Sequence, residues 1–324
     1  MSTTRPSVSF AAMLLATVCA GTLAGPAAAQ ERTIGVSVPN LASSFWISAV
    51  YGMEDEAKKA GAKLVKLNAG GDSNSSQQIS QIQDLTQRKV DAMIVGATNG
   101  DAVKAVVERA ADAGIPVVGI SSPPSTGKLV ALVSADHYDM GKLQAECLSK
   151  AMGGKGNVAM MAGPAGQAWS DLRAKGFKDT LQKASPDVKV VAESRLGDNR
   201  NAALTTAEDW TQRFPDLNGV YAATDDMAAG VVSALKSAGK MPGVRVSASN
   251  YSPTAQQMLK DGDLACTSIQ KVVAQGRAAV QQALNAAGKK PVQKEVVVPA
   301  LLVTRDNMAT VDLGSVVAPS DYRP

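Results

Sequence analysis

The sequence contains a single histidine, His137, so a histidine-based metal site or a serine–histidine triad would hang on that one residue. The common catalytic signatures are missing too: no GxSxG elbow, no HExxH, no GxxxxGK(S/T) phosphate loop, and no GxGxxG after the first apolar run. The nearest approach, Gly153 to Gly156, precedes a strand-like run instead of opening a helix. The basic residues form no block, which argues against nucleic acid or an anionic membrane surface as partners. Past the N-terminus, no stretch reaches the roughly 18 apolar residues of a membrane span. Cysteine is scarce as well. Cys147 and Cys266 sit in no CxxC or metal motif and read as two small buried residues, with a mutual disulfide as the alternative in an oxidising compartment.

What is present begins with export. Arg5, the apolar run Val8 to Ala20 and the small residues Ala27-Ala28-Ala29 spell a secretory signal peptide over residues 1–29. There is no twin arginine, and Cys19 lies in a poor lipoprotein context. Removing this segment lowers the formal charge from +4 to +3. The remaining chain, about 295 residues, is longer than one compact core usually holds and suggests two lobes. The expected location is the periplasm.

From Thr33 onward, short β-branched runs alternate with helical periodicity. Ile34–Val38, Lys63–Leu67, Ala92–Gly96, Pro116–Ile120 and Val130–Val133 read as strands, and after Asp136 the pattern restarts with Asn157–Met161, Val188–Ala192, Val220–Ala223 and Val244–Ala248. Gly262 to Gln270 reads as a further strand and Val296–Val303 as a final one. Alternation of this kind predicts an α/β fold with parallel sheets covered on both faces. Each strand ends in a polar loop, among them Pro39-Asn40, Asn68 to Asp72, Ser121-Ser122, Gly163 to Gly166, Gly197 to Asn199 and Asn250-Tyr251. Two half-sheets facing each other would bring these loops to one cleft, which suits a small polar ligand.

One stretch anchors that reading. Between the first strand and the helix from Ile47 to Ala60 lie Ser43 and Ser44, either of which can cap the helix, followed by Phe45 and Trp46 in its first turn. Adjacent side chains on a helix point about 100° apart, so one of the aromatics should face the crevice. Asp225-Asp226 could serve acid/base chemistry, but it reads better as the cap and first turn of the helix at Met227. No enzyme, cofactor or metal is expected.

Taken together, Ser44 to Trp46, Gln83 to Leu85, Gly114 to Pro116, Ser134 to Asp136 with Gly141, Arg173 with Gly176-Phe177, Asp225 to Gly230, Asp261 to Leu264 and Gln270 resemble the periplasmic solute-binding proteins of the ribose-binding type (type 1, LacI-like). Ser44 to Met53, Leu67 to Asp72, Met161 to Pro164, Leu196 to Asn199 and the tail Ala318 to Pro324 are similar to TorT-type periplasmic proteins, which recognise trimethylamine N-oxide for a sensor histidine kinase. The resemblance implies two Rossmann-like lobes joined by three hinge crossings. The first lobe would hold residues 31–135 plus 271–296, and the second 136–270 plus 297–318, with 319–324 as a tail.

It also implies a ligand set: Ser44, Phe45, Trp46, Asp72, Ser121, His137, Trp169, Arg173, Thr224, Asp225, Asn250, Tyr251 and Gln270. Several of these depart from both patterns. Ser121, Ser122, Asp171, Thr224 and Asn250 stand where ribose binders carry other polar groups, whereas Gln270 is retained. Asp72 and His137 replace two aromatic walls of an amine-oxide cage. Trp169 either lines the cleft or packs the Gly166 loop. The implied function is capture of a sugar, polyol or related metabolite by hinge closure and its presentation to an ABC transporter permease. The alternative is a TorT-like sensor that signals through a histidine kinase.

Overall fold

The computed structural model describes residues 1–4 and 31–324. The signal-peptide expectation therefore lies outside the described residues. The rest of the chain builds two six-stranded sheets.

The first sheet is assembled from β1 (Thr33–Val38), β2 (Lys63–Asn68), β3 (Ala92–Val95), β4 (Val117–Ile120) and β5 (Ala131–Ala135), all parallel. β3 and β4 are buried along their whole length, which is why they read as continuous apolar runs instead of alternating ones. The intervening helices are α1 (Ser44–Lys59), α2 (Ser75–Gln87) and α3 (Gly100–Asp112). They cover two faces, and each face has its own hydrophobic cluster, one around Trp46, Met53 and Val280 and the other around Ile82, Leu85 and Val107.

The second sheet repeats this topology with β6 (Gly156–Met161), β7 (Val188–Ser194), β8 (Leu217–Ala222), β9 (Arg245–Ser249) and β10 (Cys266–Ile269). Its helices are α4 (His137–Ala151), α5 (Ala168–Ala184), α6 (Arg200–Arg213), α7 (Asp225–Ser237) and α8 (Pro253–Asp261). α4 and α5 approach until their backbones touch. A Cβ added at Gly141 would lie 1.9 Å from Arg173 O, and one added at Gly176 would lie 2.1 Å from Tyr138 O. Only glycine permits that spacing, and it fixes where Arg173 stands.

The chain passes between the sheets three times. β5 belongs to the first sheet, while α4, which follows it, packs on β9 and β10 of the second. After β10 the chain returns through α9 (Val272–Ala287), which packs on β3 and β4. The third passage corrects the expectation of one final strand over Val296–Val303. β11 (Glu295–Val298) pairs with β5 in the first sheet, and β12 (Leu301–Val303) pairs antiparallel with β10 in the second. Pro299 separates them; it lacks an N–H for either ladder, so the run breaks there and crosses between lobes. The boundary expected between residues 296 and 297 falls inside β11.

Cys147 and Cys266 form a disulfide with Cα atoms 6.6 Å apart, so their reading as two separate buried residues does not hold. α4 lies directly on β10, and the two side chains meet in that layer. Beside the disulfide, Ser247 Oγ donates to Gln144 Oε1 at 3.0 Å and Gln144 Nε2 reaches the hydroxyls of Ser249 and Ser268. This buried polar cluster is paired internally, as its burial demands.

Candidate functional site

The strand-end loops of both sheets converge on one cavity of about 580 Å³. Buried amides set the loops of the first lobe. Gln78 donates to Gly96 O at 2.7 Å and accepts from Thr98 N at 2.7 Å, while Gln81 accepts from the Ser37 hydroxyl at 3.1 Å and donates to Asn68 O at 2.8 Å. Helix α2 thereby clamps the ends of β1, β2 and β3 at once. Across the mouth, Gln167 of the second lobe donates to Thr98 O of the first at 3.3 Å.

Phe45 and Trp46 both border the cavity, their rings edge to face with centroids 5.0 Å apart. Trp46 is only 6% exposed and also belongs to the first lobe's core. Its indole lies over Gly96, where an added Cβ would sit 2.1 Å from Cη2. Ser43 is the N-cap residue of α1, but neither it nor Ser44 makes a side-chain capping bond. The first lobe also contributes Asp72, Ser121 and Ser122. Ser121 holds a left-handed backbone at φ +56°, which turns the β4 end toward the cavity.

From the second lobe come Trp169, Arg173, Thr224 and Asn250, with Gln270 at the passage between lobes. Trp169 therefore lines the cleft, and Arg173 lies under its ring at 5.1 Å. Arg173 is 2% exposed and has no carboxylate partner among the described residues; its Nε donates to His137 Nδ1 at 3.3 Å and its Nη1 to Ala223 O at 2.7 Å. Burial lowers its pKa to about 10, so it stays charged. Asn250, at φ +74°, receives Gln270 Nε2 on its Oδ1 at 3.1 Å.

Four expected ligand residues do not line this cavity. Ser44 sits at the start of α1. His137 is buried behind Arg173 and borders a second cavity of about 330 Å³. Its pKa is held well below the ordinary value, first by burial and then by the Arg173 charge. Asp225 is buried in the second lobe, where its Oδ2 accepts from Ser252 N at 2.8 Å, and Tyr251 is 3% exposed within that lobe's core.

Polar residues absent from the expected set also line the cavity, among them Gln167, Asp198 and Asp226. Gln167 and Asp198 belong to the β6 and β7 end loops, whose position after strands was the only available signal. Thr224 Oγ1 donates to Asp198 Oδ1 at 2.5 Å. Desolvation raises the pKa of the Asp198 carboxyl to about 7, as do the charges of Asp226, Asp225 and Asp72, against the Thr224 hydroxyl. Asp72 is likewise raised by desolvation. Among the described residues there is no group of His, Cys, Asp and Glu that could hold a metal ion. No described helix is long and apolar enough to cross a membrane.

Comparison with known proteins agrees with this geometry. A family model described as periplasmic binding protein domain matches residues 34–291. The ribose import binding protein of Bacillus subtilis is 33% identical over 276 residues, which cover 85% of this chain and 88% of that protein. The xylitol-binding protein of Mycolicibacterium smegmatis is 33% identical over 290 residues, covering 88% of this chain and 81% of that one. Among solved structures, an ABC transporter solute-binding protein from Bacillus halodurans with bound myo-inositol superposes with a TM-score of 0.82 at 27% identity, covering 88% of this chain and 98% of that one. These relatives are binding proteins, not enzymes. They lend no support to the TorT likeness.

Proposed function

The chain belongs to the periplasmic binding protein domain family, and from that premise we propose that it captures a sugar or polyol between its lobes and presents it to an ABC importer in the periplasm. The observation that carries this reading is the cavity itself, whose walls come from the strand ends of both sheets. Phe45 and Trp46 offer apolar faces to the C–H surface of a sugar or polyol ring, and Asn250, Gln270, Arg173 and Asp198 supply donors and acceptors for its hydroxyls. Contacts from both lobes exist together only when the cleft is shut, so the ligand shifts the open–closed equilibrium toward closure. The hinge is then the three passages near residues 135–137, 270–271 and 298–301, which divide the lobes.

A thermal-shift screen against ribose, xylitol, allose and myo-inositol, with trimethylamine N-oxide as the sensor-type comparison, tests the proposal. A ligand at a hundredfold its dissociation constant adds about 2.7 kcal/mol of stability, a rise of several degrees. No shift with any sugar or polyol, together with a shift by the amine oxide, would reverse the reading.

A further inference from the structure

The charges lining the cavity do not balance. Among the described residues, Asp72, Asp198 and Asp226 face it, against Arg173 as the one cation. Asp226 is matched outside the cavity by Arg200 Nη2 at 3.3 Å. Among the described residues, neither Asp72 nor Asp198 has a cationic nitrogen within 4.0 Å. One belongs to the β2 end loop of the first lobe and the other to the β7 end loop of the second, and both line the same cavity, so they stand on its opposite walls. Arg173 does not neutralise them. It is anchored within its own lobe by His137 Nδ1 and Ala223 O beneath the Trp169 ring.

We propose that the solute for which this cleft is built is a sugar or polyol bearing an amino group, with its ammonium held between Asp72 and Asp198. The proposal rests on the sugar and polyol reading above and narrows it. Closing the lobes over two unpaired carboxylates removes water from like charges as the gap shrinks. A neutral hydroxyl donates one hydrogen bond to one carboxylate and brings no positive charge. An ammonium supplies three donors and the missing positive charge, so its attraction grows as the cleft dries. The edge-to-face pair Phe45–Trp46 adds aromatic surface that attracts a cation and repels none of the ligand's C–H groups. The hydroxylated remainder then lies toward Arg173, Asn250 and Gln270, none of which is a carboxylate.

Matched pairs test this by calorimetry on the purified chain near neutral pH: D-glucose with D-glucosamine, sorbitol with 1-amino-1-deoxysorbitol, and myo-inositol with an aminoinositol. In at least one pair the amine should bind about tenfold tighter or better than its neutral partner, and that preference should shrink with added salt. Asp72→Asn and Asp198→Asn, isosteric changes whose folding is checked by thermal melts, should each abolish most of the preference, because each weakens the amine far more than its neutral partner. If neutral members bind as well as their amines, the proposal fails and the sugar and polyol reading stands. If no member of any pair binds, that reading fails with it. An amine preference that survives both substitutions would overturn the assignment to these carboxylates.

Discussion

Gln270 Nε2 donates to Asn250 Oδ1 at 3.1 Å, which makes the two amides at the back of the cleft one hydrogen-bonded unit. Gln275 Nε2 donates in turn to Gln270 Oε1 at 3.0 Å. Gln275 is buried on α9 and does not line the cavity, so it acts through Gln270. Gln270 has both ends of its amide assigned by neighbours before any ligand arrives, and it sits where the chain passes between lobes.

Removing the outer clamp should therefore weaken binding without touching the ligand. Gln275→Leu forfeits about 1 kcal/mol of orientation, the net worth of one hydrogen bond, and roughly a fivefold loss of affinity is expected. Among the described residues Gln275 Oε1 has no partner, so the same change also removes a buried orphan acceptor and should leave the melting temperature nearly unchanged. Calorimetry and a melting curve on one preparation separate the two effects.

Trp46 serves the core and the cleft together, so Trp46→Ala should cost about 3–5 kcal/mol of stability and obscure its role in binding. Gly96→Ala is the sharper probe, because the new methyl would occupy the position of the indole tip. It should displace the ring toward the cavity, change the tryptophan emission and lower affinity. Binding that stays at the wild-type level in Gly96→Ala would show that the indole contributes no contact to the ligand.

The disulfide closes a loop of sequence separation 119, for which the chain-entropy model gives up to about 5 kcal/mol. Cys147→Ala with Cys266→Ala should accordingly unfold at markedly lower denaturant. Reducing agent should bring the wild type to the same midpoint and leave the double variant where it is.

His137 gives stability a pH dependence of defined sign. Its folded-state pKa is lowered, whereas an unfolded histidine titrates near 6.5. The unfolded chain therefore takes up this proton first as pH falls, and the contribution present above about 6.5 is lost on acidification. The charged group facing it is Arg173, which donates to Nδ1, and the Ser121 backbone opposes the shift only in part. Melting temperature should drop between neutral pH and mildly acid pH, and His137→Asn, whose amide oxygen can still accept from Arg173, should flatten that slope.

Much of this was written in the chain. The alternation of buried runs with helical periodicity determined two α/β halves, because backbone pairing and apolar burial are dictated locally. The polar residue after each strand marked the cleft, since parallel sheets bring those ends to one edge. The sequence likewise bore on the chemistry: one histidine and no nucleophile motif favoured binding over catalysis. What only the tertiary structure decided is which residue of each loop faces inward. Asp225 and Asp226 are neighbours in sequence, yet the helix turn between them sends one into the lobe to meet Ser252 N and leaves the other on the cavity wall. His137 sits at a passage between lobes as expected, but Arg173, brought in by the glycine-tight contact of α4 and α5, occupies the space between it and the cleft. Pairing of Cys147 with Cys266 and the break at Pro299 depend likewise on which helix lies on which strand, a matter of long-range packing that no local pattern encodes.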